Sequence, residues 1–312
     1  EFKDYCDPKV YPDTHFNGWA MGGQNMCDVH LILIRLVHMI HDGLLEEGLH
    51  DVMHFLGTSK LEWATLLTDI QRAVRKYHNP NFMITYDCAS PFLATANGQI
   101  YHTIRAEHKG KWSYMMAPGA DALKYATDTR QFSKAIVAEG ILEHFEESPI
   151  SQHCNMNDIC IYAEGDKNKI GHPKVKAGDI DIDKHGAQIL DEQGKPVVRK
   201  KDSTSWDSFS YALQMGHNVW MHIESTQRAN ELYDTGEYPY MMVYDTPLAQ
   251  HKFRDITDEI FAQKDRQKSL DVINRYGTDT QANSLWTHII GTRLKIGKKT
   301  INAEAKFDEL FE

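Results

Sequence analysis

Long hydrophobic runs are missing from this 312-residue chain. The longest apolar stretch, VHLILIRLVHMI, is broken by Arg35 and His38, and a membrane span needs roughly 18 uninterrupted apolar residues. No basic segment followed by an apolar one opens the chain, so a secretory leader pattern is not visible. The first residue is Glu1 and not Met, so the gene's own start is expected upstream. Cysteine is scarce and odd in number: Cys6, Cys27, Cys88, Cys154 and Cys160. Five scattered thiols argue against a disulfide framework and for a reducing compartment, with a cytoplasmic location expected. An excess of basic charge is also missing. Lys and Arg number 34 against 44 Asp and Glu, a net charge of −10, which excludes bulk, non-specific attraction to nucleic acid. Basic residues do gather locally, as Lys174, Lys176, Lys195, Arg199, Lys200 and Lys201 in KVKAGD and KPVVRKKD, where a solvated charged hairpin is the plain reading. Internal repeats and low-complexity segments are absent.

What is present is alternation. A short strand fits Gly18 to Met21 and ends on the pair Gly22-Gly23. Val29, Leu33, Leu36, Ile40 and Leu44 then recur at helical spacing, with a stop expected at Gly48. DVMHFLG reads as a buried strand ending at Gly57. SKLEWATLLTDIQRAVRKY reads as a helix, with Ser59 and Glu62 in the pattern of a capping box. Phe82 to Tyr86 is a third strand, ending on Asp87. Strands and helices of these lengths in this order imply parallel strands joined by right-handed crossovers. In such architectures chemistry sits at the C-terminal strand edge, where Gly22-Gly23, Gly57 and Asp87 all fall. Beyond Pro91 a hairpin is expected over 97–116, mostly helix over 121–146, β-rich turns over 159–202, a long helix from about Ser205 to Tyr233, and further helices over 253–275 and 280–293. The organisation expected is 1–120, the strands and helices carrying the acidic residue; 121–240, a β-rich inserted subdomain with the long helix; and 241–312, C-terminal helices.

FNGWAMGG, MHFLGTS, ITYDCASP followed by NGQIY, and MGHNV resemble, in order, four motifs of the tRNA-guanine transglycosylase family. The likeness spans roughly residues 15–235 and is dense over 15–101. It implies an α/β fold, the last three strands of a TIM (β/α)8-type barrel, with an inserted zinc-bearing subdomain and C-terminal helices. It implies a transferase that exchanges guanine for a 7-deazaguanine by double displacement. Asp87 would be the nucleophile, forming a covalent glycosyl intermediate as in retaining glycoside chemistry. Met21, Gly22, Gly23, Leu56 and Gly57 would form the base pocket: bare main chain at the glycines, apolar surface at Met21 and Leu56. Zinc, in a structural role, would fall to His153, Cys154, Cys160 and His217, although HCNMNDIC does not keep the family's ligand spacing. No organic cofactor is implied.

Two further departures shape the expectation. The family's glycine-pair strand lies late in its barrel, and three strands cannot close one. A second chain or an N-terminal half is therefore expected to complete it. The family's tRNA enzymes carry Thr-Arg after the acidic motif, whereas FLATANG has no Arg. This favours DNA as the partner, as in the family's viral and bacterial DNA-modifying branch, with the base flipped or single-stranded and phosphates met by Lys and Arg between 167 and 201. A tRNA enzyme with an altered recognition loop, and a non-catalytic nucleic-acid-binding or assembly subunit on the same scaffold, are the alternatives.

Overall fold

A computed structural model describes residues 4, 7, 9–12, 16–22, 28–119, 125, 127–159, 178–182, 187–198, 208–245 and 249–277. By internal contact the chain forms two units. The first comprises Glu1–Cys88, Ala106–Ser113 and Arg228–Glu312, and the second Ala89–Arg105 and Tyr114–Gln227. These divisions differ from the boundaries at 120 and 240 read from the sequence, because segments distant along the chain pack into the first unit.

The first unit is built on β1 (Gly18–Met21), α1 (Val29–His41), β2 (Val52–Phe55), α2 (Leu61–Tyr77) and β3 (Met83–Tyr86). The three strands are parallel in the order β1-β2-β3, so the fold is α/β. Met21, Phe55 and Tyr86 stand side by side in register. Asp28 caps α1, its side chain accepting from the Leu31 N–H at 3.0 Å. That helix ends at His41, short of the expected stop at Gly48, where the Leu44 N–H folds back onto the Met39 carbonyl at 2.8 Å. The capping box expected at Ser59 does not form. Lys60 precedes α2 without a side-chain cap, and the buried Glu62 carboxylate accepts the Trp112 N–H at 3.1 Å instead.

Period-two alternation decides which face of the sheet is core. Trp19, Met21, Met53 and Phe55 are buried. On the opposite face Ala20 and Met83 are exposed and His54 and Thr85 half-buried. β1 and β2 approach so closely that a Cβ on Gly18 would lie 2.3 Å from the Val52 carbonyl oxygen. The outer edge of β3 is partly capped, since the Ile84 N–H donates to Gln71 Oε1 on α2 at 2.6 Å.

The same unit contains the antiparallel pair β6 (Val243–Asp245) and β7 (Gln250–Lys252), followed by α7 (Phe253–Phe261) and α8 (Arg266–Gly277). The single helix expected over 253–275 is two helices. Asp265 sits at the break and accepts the Lys268 N–H at 3.0 Å, which starts the second. A buried knot ties α2 to residues 228–234 of the long helix and to α7: Tyr233 donates its hydroxyl to Asp69, and Arg254 Nε donates to Asp69 at 3.0 Å. Arg72 grips Asp234 through two bonds of 2.6 and 2.8 Å. The helix expected over 280–293 lies outside the described residues.

The second unit holds α3 (Ser90–Ala96), β4 (Gln99–Arg105), β5 (Ser113–Pro118), α4 (Phe132–Ala138), the short α5 (Met156–Ile159) and the 208–227 part of α6 (Ser208–Asp234). β4 and β5 form the expected two-stranded sheet, and the Gly119 N–H donates to the Gly98 carbonyl at 2.7 Å. Ile100, Phe132, Ile136, Phe145, Met156 and Ile159 make its core. In the expected helical region 121–146, α4 is the helix among the described residues. The expected β-rich region shows the isolated antiparallel bridges Ile180–Val198, Ile182–Gln188 and Leu190–Pro196, and 160–177 lie outside the described residues. No described helix is long and apolar enough to cross a membrane.

Candidate active site at the strand ends

Each of the three strands stops at the same level, because Met21, Phe55 and Tyr86 are register partners. The residues one or two steps beyond, Gly22, Leu56-Gly57 and Asp87, therefore share one edge of the sheet. β1 and β3 are separated by β2, which sets Gly22 and Asp87 about 10 Å apart by the usual interstrand spacing, on the scale of a purine nucleoside. The Leu56 N–H continues the ladder onto the Met21 carbonyl at 2.9 Å.

Gly57 has φ +72°. This left-handed turn carries the chain off β2 with its N–H directed at the neighbouring strand end, 3.3 Å from Asp87 Oδ1. Asp87 is exposed, with 65% of its side-chain surface accessible. His54 reaches the same oxygen, with Nε2 at 3.4 Å from Asp87 Oδ1. The other ring nitrogen of His54 lies 2.9 Å from Thr85 Oγ1, its register partner on β3. Thr85, His54 and Asp87 thus form a continuous polar line on the open side of the sheet. The buried hydroxyl of Thr58, next after Gly57, has no hydrogen-bond partner among the described residues, which is unusual for a native interior.

The pocket residues expected from the sequence separate into three groups. Gly22, Leu56, Gly57 and Asp87 come together at this edge. Gly23 lies outside the described residues. Met21 is buried, 2% exposed, so its side chain belongs to the core and Leu56, 46% exposed, is the apolar surface at the edge. Gly22 is informative for what it does not need. A Cβ there would meet Leu56 Cδ1 at 3.4 Å, an ordinary contact, so packing among the described residues does not require a glycine at this position. His54 and Thr85 were not expected as site residues; alternation from Asp87 back to Thr85 was the available signal, but the register that brings in His54 was not.

The H-N pair of MGHNV has a role inside the second unit. Asn218 is fully buried. It accepts the Tyr101 N–H at 2.9 Å, and its amide nitrogen donates to Thr95 Oγ1 at 2.9 Å and to the Gln99 carbonyl at 3.0 Å. It thereby clamps the turn between α3 and β4. His217 places Nδ1 2.8 Å from Ser148 Oγ and Nε2 2.8 Å from the Tyr101 carbonyl, and burial pushes its pKa down to about 4. Both ring nitrogens of His217 are thereby engaged within the second unit. Cys154 is buried, His153 is exposed, and Cys160 lies outside the described residues. Among the described residues no group of three or more His, Cys, Asp and Glu is arranged to hold a metal ion. Of the basic residues noted in the sequence, Lys195 is exposed, while Lys174, Lys176, Arg199, Lys200 and Lys201 lie outside the described residues.

The chain matches no protein-family model, no curated protein and no solved structure.

Proposed function

We propose that the chain is a base-exchange transglycosylase subunit that replaces guanine in DNA with a 7-deazaguanine. The observation that carries this reading is an exposed Asp87 carboxylate at the C-terminal edge of a parallel sheet, bonded through Oδ1 to the Gly57 N–H and level with a glycine that packing among the described residues does not require. The motif resemblance supplies the reaction. In its first half a lone pair of Asp87 forms a bond to C1′, while the C1′–N9 bond breaks and its electron pair leaves with guanine, which takes up a proton. In the second half N9 of the incoming 7-deazaguanine gives up a proton and attacks C1′. The C1′–O bond then breaks, returning its pair to the carboxylate. Gly22 would let the planar base lie against main chain, and Leu56 would cover one face of it. No step passes through zinc.

A parallel sheet is normally covered on both faces, and the face bearing Ala20, His54, Met83 and Thr85 is open among the described residues. In the proposed assembly a second chain, or an N-terminal half, supplies further β/α units that close a TIM-type barrel over this face. At β3 the Gln71 side chain would yield its bond with Ile84 to the added strand. DNA is preferred to tRNA because FLATANG lacks the arginine that the family's tRNA enzymes carry.

The test offers the chain, assembled with its completing half, labelled guanine with single-stranded DNA, duplex DNA and tRNA, and traps the adduct under denaturing conditions. The expected result is label in DNA and a covalent adduct that Asp87→Asn abolishes. Incorporation into tRNA alone would overturn the choice of DNA. Absence of any adduct from the unmodified chain would overturn the catalytic reading in favour of a binding or assembly subunit.

A further inference from the structure

We propose that His54, fixed by Thr85, is a positioning residue that holds Oδ1 of Asp87 and so leaves Oδ2 as the oxygen that forms the glycosyl bond. The inference rests on the reading of Asp87 as nucleophile and deepens it. An exposed carboxylate turns freely about two side-chain bonds, and a nucleophile so placed would lose most of the advantage of proximity. Two nitrogens from β2 and its following turn stand against one oxygen: the Gly57 N–H, hydrogen-bonded at 3.3 Å, and His54 Nε2, in ion-pair range at 3.4 Å. Oδ2 makes no hydrogen bond or ion pair with a described residue. The carboxylate is therefore held asymmetrically, with one oxygen tethered and one presented.

The direction of each bond follows from chemistry. An ionised carboxylate only accepts, so Nε2 of His54 must carry the proton that faces Asp87. In the neutral imidazole Nδ1 is then a lone pair, and Thr85 Oγ1, 2.9 Å away, is the donor to it. Thr85 and His54 are neighbours across the β2–β3 ladder, so the ring orientation is set by the sheet and not by a loop. When Oδ2 joins C1′ the carboxylate becomes an ester and Oδ1 its carbonyl oxygen, still within reach of both donors. When Oδ2 later leaves with its electron pair, the same two donors meet the restored charge. Both contacts are long here, and the His54 ring would close onto Oδ1 as substrate arrives, since catalytic contacts often tighten only in the complex.

Two measurements test this. Nitrogen NMR of the chain labelled at histidine, with His54 assigned by its loss in His54→Gln, should show a protonated Nε2 and a hydrogen-bonded lone pair at Nδ1. Thr85→Val should change the Nδ1 signal and Asp87→Asn the Nε2 signal. An Nδ1–H ring, or signals indifferent to both substitutions, would overturn the proposal. In the exchange assay His54→Leu should lower kcat about 10- to 100-fold, the scale of a displaced reacting group, with KM within about threefold. His54→Gln, which keeps an N–H near the Nε2 position, should restore most of the loss. An unchanged kcat in His54→Leu would overturn the positioning role. A chain that exchanges no base, while its His54 signals answer to both substitutions, would sink the transglycosylase reading and leave the His54–Asp87 pairing standing.

Discussion

Gly57 and Asp87 are 30 positions apart in sequence, and the Gly57 N–H meets Asp87 Oδ1 at 3.3 Å because Gly57 turns at φ +72°. Any L-residue at position 57 is strained there by about 1–2 kcal/mol, and it relieves that strain by rotating the peptide that carries the N–H. Gly57→Ala is therefore expected to cost about 1–2 kcal/mol in a denaturant titration and to lower exchange at least tenfold. Loss of stability with full activity would show that the bond to Asp87 has no part in the chemistry.

Gly22 makes the opposite prediction. Its Cβ would touch Leu56 Cδ1 at an ordinary 3.4 Å, so Gly22→Ala should leave thermal stability unchanged within about 0.5 kcal/mol, the range for substitutions that disturb no packing. If the base lies on this main chain, the added methyl group should raise KM for the free base by tenfold or more. A variant that binds and exchanges normally would remove Gly22 from the pocket. Gly18 is the internal contrast: its Cβ would collide with the Val52 carbonyl at 2.3 Å, and Gly18→Ala should destabilise the sheet.

How much of this was legible depended on the range of the interaction. β1 occupies Gly18–Met21 as read from the sequence, and β2 and β3 lie within the segments read as strands, because short apolar runs between turn residues are local signals. The line Thr85–His54–Asp87 was not legible, since it depends on which residue of β2 stands opposite Thr85. Glu62 illustrates the same limit. Its position three residues after Ser59 suggested a cap, but a buried N–H from Trp112, 50 residues away, claims the carboxylate. The bonds of His217 to Ser148 and the Tyr101 carbonyl were out of reach for the same reason.

Asn218 offers a test of the second unit independent of any chemistry. Its amide satisfies the Tyr101 N–H, Thr95 Oγ1 and the Gln99 carbonyl in a fully buried setting. Asn218→Leu leaves the buried Tyr101 N–H without this partner, at a cost of about 1–3 kcal/mol, whereas the Gln99 carbonyl still accepts from Gln214 at 2.9 Å. The expected loss is of that size, with amide exchange accelerating first in the α3–β4 turn. A neutral substitution would mean that the clamp does not order the turn.

Asp69 sets a pH dependence whose sign is opposite to that of most carboxylates. Burial pushes its pKa from 3.8 up to about 6, against the pull of the Tyr233 hydroxyl and Arg254. The folded state thus holds the proton more tightly than the unfolded chain does. The corresponding stability is fully present below the unfolded value near 3.8 and is lost as the pH rises through about 6. Its size is on the order of 2–3 kcal/mol. Asp234 and Glu259, both held below the usual carboxylate range, run the other way, so the total profile mixes both signs. Comparison with Asp69→Asn isolates the one group, since the amide does not titrate. Between about pH 4 and pH 7.5, the stability of the unmodified chain relative to Asp69→Asn should fall by more than about 1 kcal/mol. A difference that stays flat across that window, or grows with pH, would show that Arg254 keeps Asp69 ionised throughout and that the knot joining α2, α6 and α7 is an ion pair at every pH.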